Sequence, residues 1–292
     1  MVACGGAPDA EPAPSPEASA EANPTPPNAP PDVAPPSTPP GAPPAPPPVA
    51  PDVHAIPWQT SASIGSGVAF KDTKNPLGEN VFIGYAGYEV TLASAEAWVA
   101  TLYDAALAKR GVRWLYAVKG PQDPGYDAQE IGNSHIASAL VSGQISSKTN
   151  VVIVAGHSSG SFVADELLEQ LATGADPAGL TANKIVFFDL DGGQKYVSDA
   201  ALARLAKHWY VGAHDGATLS PNHGDMQTFA SAHGTFFDYD ASASGCDAGA
   251  TWCVHVSLVI TKPHDPSTGD PLTDYSDFTG RPVNHAWLDL LK

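Results

Sequence analysis

The chain has 292 residues, with 31 acidic side chains against 14 basic ones and a formal charge of −17. That length allows one large domain or two small ones. The acidity repels phosphate backbones and so argues against nucleic acid as a partner, and no apolar run reaches the roughly 18 residues of a spanning helix.

The first 51 residues hold 19 of the 29 prolines, with Ala, Glu and Ser between them and no Lys, Arg or aromatic side chain. Such a segment has almost nothing to bury against the entropy of ordering. Residues 1–54 are therefore expected to be a disordered, partly polyproline-II tether, and residues 55–292 one folded domain. The opening MVACGG resembles the end of a bacterial lipoprotein signal, in which small residues precede a cysteine that becomes lipidated, here Cys4. The basic and apolar regions that should come first are missing, so either translation starts further upstream or the likeness is chance. If it holds, the protein is extracytoplasmic, in the bacterial cell envelope or secreted, with any membrane anchoring through Cys4 alone.

The domain reads as alternating strands and helices. Residues 62–70 suit an early strand, and ENVFIGYAGY a short one ending near Gly84. LASAEAWVATLYDAALAKRG repeats Ala and Leu at helical spacing and ends on Gly111, a natural C′ residue. Residues 112–118 are β-branched and aromatic, hence a strand. Residues 128–145 read as a helix with Ile131, Ile136, Ala139 and Leu140 on one face. NVVIVAG is a strand without polar alternation, as expected where both faces are covered. A helix over 160–173 follows, then a buried strand over 184–190, a helix in DAALARLAKH and a strand over 209–215. Residues 216–251 give no clear pattern, 252–262 read as a long strand, and AWLDLL as a closing helix. This rhythm predicts an α/β fold, a mostly parallel central sheet with helices on both faces. Reactive residues are then sought just after the carboxyl ends of strands. Cys246 and Cys253 bracket a Gly/Asp-rich turn and are expected to form a small disulfide loop. Without a second ligand pair they make a poor zinc site, and no metal or cofactor is expected.

Gly156-His157-Ser158-Ser159-Gly160 stands between the buried strand and the 160–173 helix. In G-x-S-x-G the serine takes a sparsely allowed backbone conformation that lifts its oxygen clear, while small residues on either side let strand and helix approach. On this motif and its context the sequence resembles the α/β-hydrolase superfamily, over about residues 60–292. The resemblance implies that Ser158 is a nucleophile, followed in chain order by an acid and a histidine. For the acid it favours Asp215, after the later strand, with Asp189 and Asp191 as alternatives whose DLDGG context also suits a plain turn. For the base it favours His285, just before the last helix, with His264 next and His233 remote. His157 is expected to point away from the site, and His255 to be a packed strand residue. Oxyanion donors are expected from the amides of Ser159 and of Tyr85, the latter in a Gly84-Tyr85 pair that could equally be an ordinary turn. The implied activity is a serine carboxylic ester hydrolase, esterase- or lipase-like, acting as a monomer on a small-molecule or polymeric ester. The alternatives are an acyltransferase with the same nucleophile, or a binding domain that kept the fold without the chemistry. Tyr85, Tyr88, Tyr126 and Trp58 are as fit for packing as for lining a cleft.

Overall fold

The computed structural model describes residues 52–60, 67–122, 128–173, 184–193, 197–263 and 276–292. The Pro/Ala-rich segment up to Pro51, with Cys4, lies outside them, as do Tyr126 and His264.

A nine-stranded sheet forms the centre, in the order β1-β2-β4-β3-β5-β6-β7-β8, with β9 also on β7. Its strands are β1 (Gln59–Thr60), β2 (Val68–Asp72), β3 (Asn80–Tyr85), β4 (Val112–Val118), β5 (Val152–His157), β6 (Ile185–Leu190), β7 (Lys207–Asp215), β8 (Thr218–Leu219) and β9 (Thr235–Asp240). β4, β3, β5, β6, β7 and β9 run parallel, while β1, β2 and β8 are antiparallel additions at the edges. The expected mostly parallel α/β architecture is the one observed.

Every residue of β5 and β6 is buried, because helices cover both faces. Along β3 the side chains alternate between the two sides. Phe82 joins the apolar layer under α1 (Leu92–Leu102), and Val81, Ile83 and Tyr85 join the layer under α2 (Ala128–Gln144) and α3 (Gly160–Thr173). Thr91 caps α1 by accepting a hydrogen bond from the Ser94 amide. The same helical run continues through a π turn at Tyr103–Leu107 to Gly111, which sits at φ 67° as its C′ role requires. On α2 the buried face is Ile136, Ala137 and Val141, and Ala139 is exposed.

Three sequence expectations change, and one unread stretch acquires structure. The helix expected in DAALARLAKH stops after one turn as α4 (Asp199–Leu202), because Lys207 and His208 already pair with Val186 and Phe187. The unread stretch 216–251 holds β8, α5 (His223–His233) and β9. The long strand expected over 252–262 is instead α6 (Thr251–Val256), followed by a turn and one isolated bridge from Ile260 to Val283. The closing AWLDLL helix is 3-10 rather than α.

Candidate active site

β5 and β6 are adjacent and in register, His157 opposite Leu190. The residue after each strand is therefore delivered to the same carboxyl edge. Ser158 follows β5 and its amide donates to the Leu190 carbonyl at 3.0 Å; Asp191 follows β6 and its amide donates to the Val211 carbonyl at 2.9 Å. Both turn sharply there, Ser158 at φ 54° and Asp191 at φ 56°, in the left-handed region that costs an ordinary residue about 1–2 kcal/mol. The glycines of the elbow are fixed by contact. A Cβ at Gly156 would stand 2.5 Å from the Ser161 Cα, and one at Gly160 would stand 2.3 Å from the Ala86 carbonyl oxygen.

Asp191 is fully buried with both carboxylate oxygens engaged. Ser220 Oγ donates to Oδ1 at 2.8 Å, and His255 Nδ1 lies 2.5 Å from Oδ2. The Asn222 side chain donates to the Asp191 carbonyl at 2.7 Å and holds the turn. With the carboxylate ionised, Nδ1 carries the proton it donates, which leaves the Nε2 lone pair of His255 available as a base. That ring borders a cavity of about 260 Å³ whose walls include Ser158, His157, Gly87, Tyr88 and Trp252. Ser158 itself is only half-buried. A serine and an imidazole thus line one cavity with a buried carboxylate bonded to the ring, in the chain order serine, acid, histidine.

The sequence-favoured partners lie elsewhere. Asp215 ends β7 and pairs with Thr218 across the hairpin to β8, and His285 precedes the C-terminal 3-10 helix; neither borders the cavity. Asp191, one of the two turn alternatives, takes the carboxylate position, and His255 is a helix residue facing the cavity rather than a packed strand residue. His233 ends α5, where its Nε2 lies 3.1 Å from Asp199. Asp189 is buried and accepts the Gly192 amide at 2.9 Å; burial raises its carboxyl to about 7.

His157 does not point away. Its ring lies 4.5 Å from that of His255, centre to centre, with Nε2 3.4 Å from the His255 carbonyl oxygen. Burial, and then the neighbouring His255, hold it well below the usual imidazole range, so it is neutral.

Tyr85 is the last residue of β3, opposite Val118 and Gly156, and is fully buried with its hydroxyl 3.4 Å from Ser134 Oγ. It does not border the cavity, but the second Gly-Tyr pair of the same loop, Gly87-Tyr88, does. A Cβ placed on Gly87 would be 3.2 Å from the Ser158 Cβ. Ser159 opens the turn into α3, where backbone amides have no intrahelical partner. Trp58 packs under Lys71, whose Nζ stands 4.3 Å from its ring centre.

The Cys246–Cys253 disulfide forms as expected. It closes the loop into α6, so that the cross-link lies two residues before His255.

No family model matches the sequence, and no curated protein matches it. Twelve chains of solved structure do resemble the fold. One is a thioesterase candidate from Silicibacter sp., at 13% identity and a TM-score of 0.43, covering 65% of this chain and 78% of that one. Another is a dienelactone hydrolase-like promiscuous phosphotriesterase from metagenomic libraries, at 12% identity and a TM-score of 0.35, covering 59% and 75%. Likeness at this level carries no argument about activity, which has to come from the site.

Proposed function

We propose that the protein is an extracytoplasmic serine hydrolase that cleaves carboxylic esters through an acyl-enzyme on Ser158, with His255 as base and Asp191 as its orienting carboxylate. The observation that carries this reading is the buried Asp191–His255 pair opening on the cavity that holds the strained Ser158. His255 Nε2 takes the hydroxyl proton as Ser158 Oγ attacks the ester carbonyl carbon. The oxyanion that forms is held by the amides of Ser159 and Tyr88, each such donor supplying about 3 kcal/mol. His255 then protonates the departing alcohol oxygen as the ester C–O bond breaks. Water attacks the acyl-enzyme with His255 again as base, and the acid leaves with Ser158 restored. Asp191 keeps the imidazole in the useful tautomer and stabilises its charged form. The disulfide suits an oxidising compartment, which supports placement outside the cytoplasm.

A fluorophosphonate probe and p-nitrophenyl acetate test the reading together. The parent protein should be labelled and should turn over the ester, and Ser158→Ala should do neither while remaining folded. Labelling that survives in Ser158→Ala would defeat it.

A further inference from the structure

Among the described residues, four that are not glycine hold a positive φ: Lys74, Glu89, Ser158 and Asp191. Two of them are the proposed nucleophile and its orienting acid. A third, Glu89 at φ 61°, borders the same cavity. Strain of this kind persists where the surroundings impose it, and it gathers at functional sites.

The strain has a definite origin. The Val90 amide donates to the Gly87 carbonyl at 3.2 Å and closes a four-residue turn, Gly87-Tyr88-Glu89-Val90. Glu89 occupies the third position with φ positive there and not at Tyr88, the type II pattern that calls for Gly or Asn. Its amide is tied to the Pro121 carbonyl at 2.8 Å, and Val90 receives the Gly120 amide at 2.9 Å. Glycine would fit this backbone better, yet the chain places an exposed carboxylate there.

Among the described residues, Glu89 is the only Asp, Glu, Lys or Arg bordering the cavity. Aromatic residues line the same cavity. Tyr88 and Trp252 are 41% and 60% exposed, and they account for two of the four large apolar side chains left on the surface among the described residues. Phe278 forms part of the buried wall. Trp252 is firmly mounted, next in sequence to the cross-linked Cys253 and edge-on to His255 at 5.3 Å.

We propose that Glu89, Tyr88 and Trp252 form a receptor for a cationic group, and that the substrate is a small ester carrying a positively charged ammonium centre. The proposal rests on Ser158 being the nucleophile. Aromatic faces attract such a centre through their quadrupole, and the carboxylate adds direct charge attraction. The excess of acidic over basic side chains draws cations toward the protein as a whole. A cavity of about 260 Å³ fits a short acyl group and a small alcohol, not a long chain. After hydrolysis Glu89 repels the newly formed acid anion and favours its departure.

Two measurements on the purified protein separate this claim from the one it rests on. Saturation-transfer NMR reads binding without chemistry. Tetramethylammonium should receive transfer from the parent protein and from Ser158→Ala, with neopentyl alcohol receiving far less. Glu89→Gln and Trp252→Ala should lose the signal. Kinetics then compare acetylcholine with its neutral carbon isostere, dimethylbutyl acetate. The parent should favour the cation in kcat/KM, and Glu89→Gln should lower that preference, the ratio of the two kcat/KM values, about tenfold. Glu89→Gly should melt at a higher temperature and bind the cation no better than Glu89→Gln, as expected of a site that gives up stability for binding. Equal binding of the neutral alcohol, or a preference that Glu89→Gln does not alter, overturns the receptor. Absence of fluorophosphonate labelling with tetramethylammonium still bound overturns the acyl-enzyme and leaves the receptor standing.

Discussion

Asp191 and His255 separate the site seen here from the one the sequence favours, so substitution at these positions is the sharpest test. Asp191→Asn keeps a side chain that tolerates the left-handed turn. It presents an amide where His255 needs an acceptor, and the wrong tautomer then faces Ser158. The expected result is a fall in kcat of about 10⁴-fold with the fold intact. Asp215→Asn and His285→Ala should leave turnover near that of the parent, and a large loss in either would return the site to β7 and the C-terminal helix. Asp189, two residues before Asp191, bears on stability instead. Burial raises its carboxyl from the ordinary aspartate range to about 7. The folded chain thus holds this proton more tightly than the unfolded chain, and stability falls as pH rises through that window. Asp189→Asn should flatten the dependence of Tm on pH between about 4 and 7 and raise Tm above the parent near pH 8. An unchanged slope would assign the titration to another group. The proposed nucleophile was readable because G-x-S-x-G needs small residues at fixed positions. The proposed acid was not, because DLDGG is equally good turn chemistry, and only the contact between Asp191 and His255, 64 residues apart, tells the two uses apart.

α6 shows why the base was missed. The apolar run WCVHVSLVI fits a buried strand and a short buried helix equally well by periodicity. What decides between them is the constraint at its start. Cys253 is tied to Cys246 and the Ala250 amide bonds to the Asp247 carbonyl, so the chain enters coiled into a turn rather than extended. Downstream, the Trp287 indole donates to the Leu258 carbonyl at 3.1 Å and Asn284 donates to that of Ser257 at 2.7 Å. The element that presents His255 is therefore clamped from both ends. Replacing both cysteines with serine should cost about 2–3 kcal/mol for so short a loop, read as a lower Tm. It should also lower kcat more than it raises KM, because the loosened helix carries the base and not the nucleophile. Fluorophosphonate labelling slowed in step with kcat would support this, and a variant with full kcat would show that α6 needs no cross-link. The strands of the parallel centre raised no such ambiguity. β5 and β6 are long apolar runs bounded by polar turns, and a buried parallel strand is what such runs encode.

The two apolar layers on either side of the sheet differ in how they close. The layer under α2 and α3 takes its buried residues from Val68 to Leu202, away from both ends of the described chain. The layer under α1 takes its last pieces from both ends of the described chain: Val53 at one end, Trp287 and Leu288 at the other, with Trp287 packed on Phe188 at 5.0 Å. At the first of these ends a buried lysine does the fastening. Lys71 Nζ, over the Trp58 ring, donates to the carbonyls of Val53 at 3.0 Å and Ile56 at 2.8 Å. Desolvation lowers its pKa, so those contacts hold an ammonium that burial would otherwise penalise. The segment held in this way begins at Asp52, the first described residue, close to where the proline-rich composition ends. A chain starting at Asp52 is expected to melt at the temperature of the full chain, since the 51 residues it lacks have little apolar surface to contribute. A chain starting at Gly67 lacks Val53 and Trp58 and leaves Lys71 buried without those carbonyls, a loss of a few kcal/mol. Its melting point should fall clearly, and Lys71→Met, which restores an apolar group of similar length at that position, should recover part of the difference. Equal melting of all three chains would mean that the 52–60 segment rests on the domain without stabilising it.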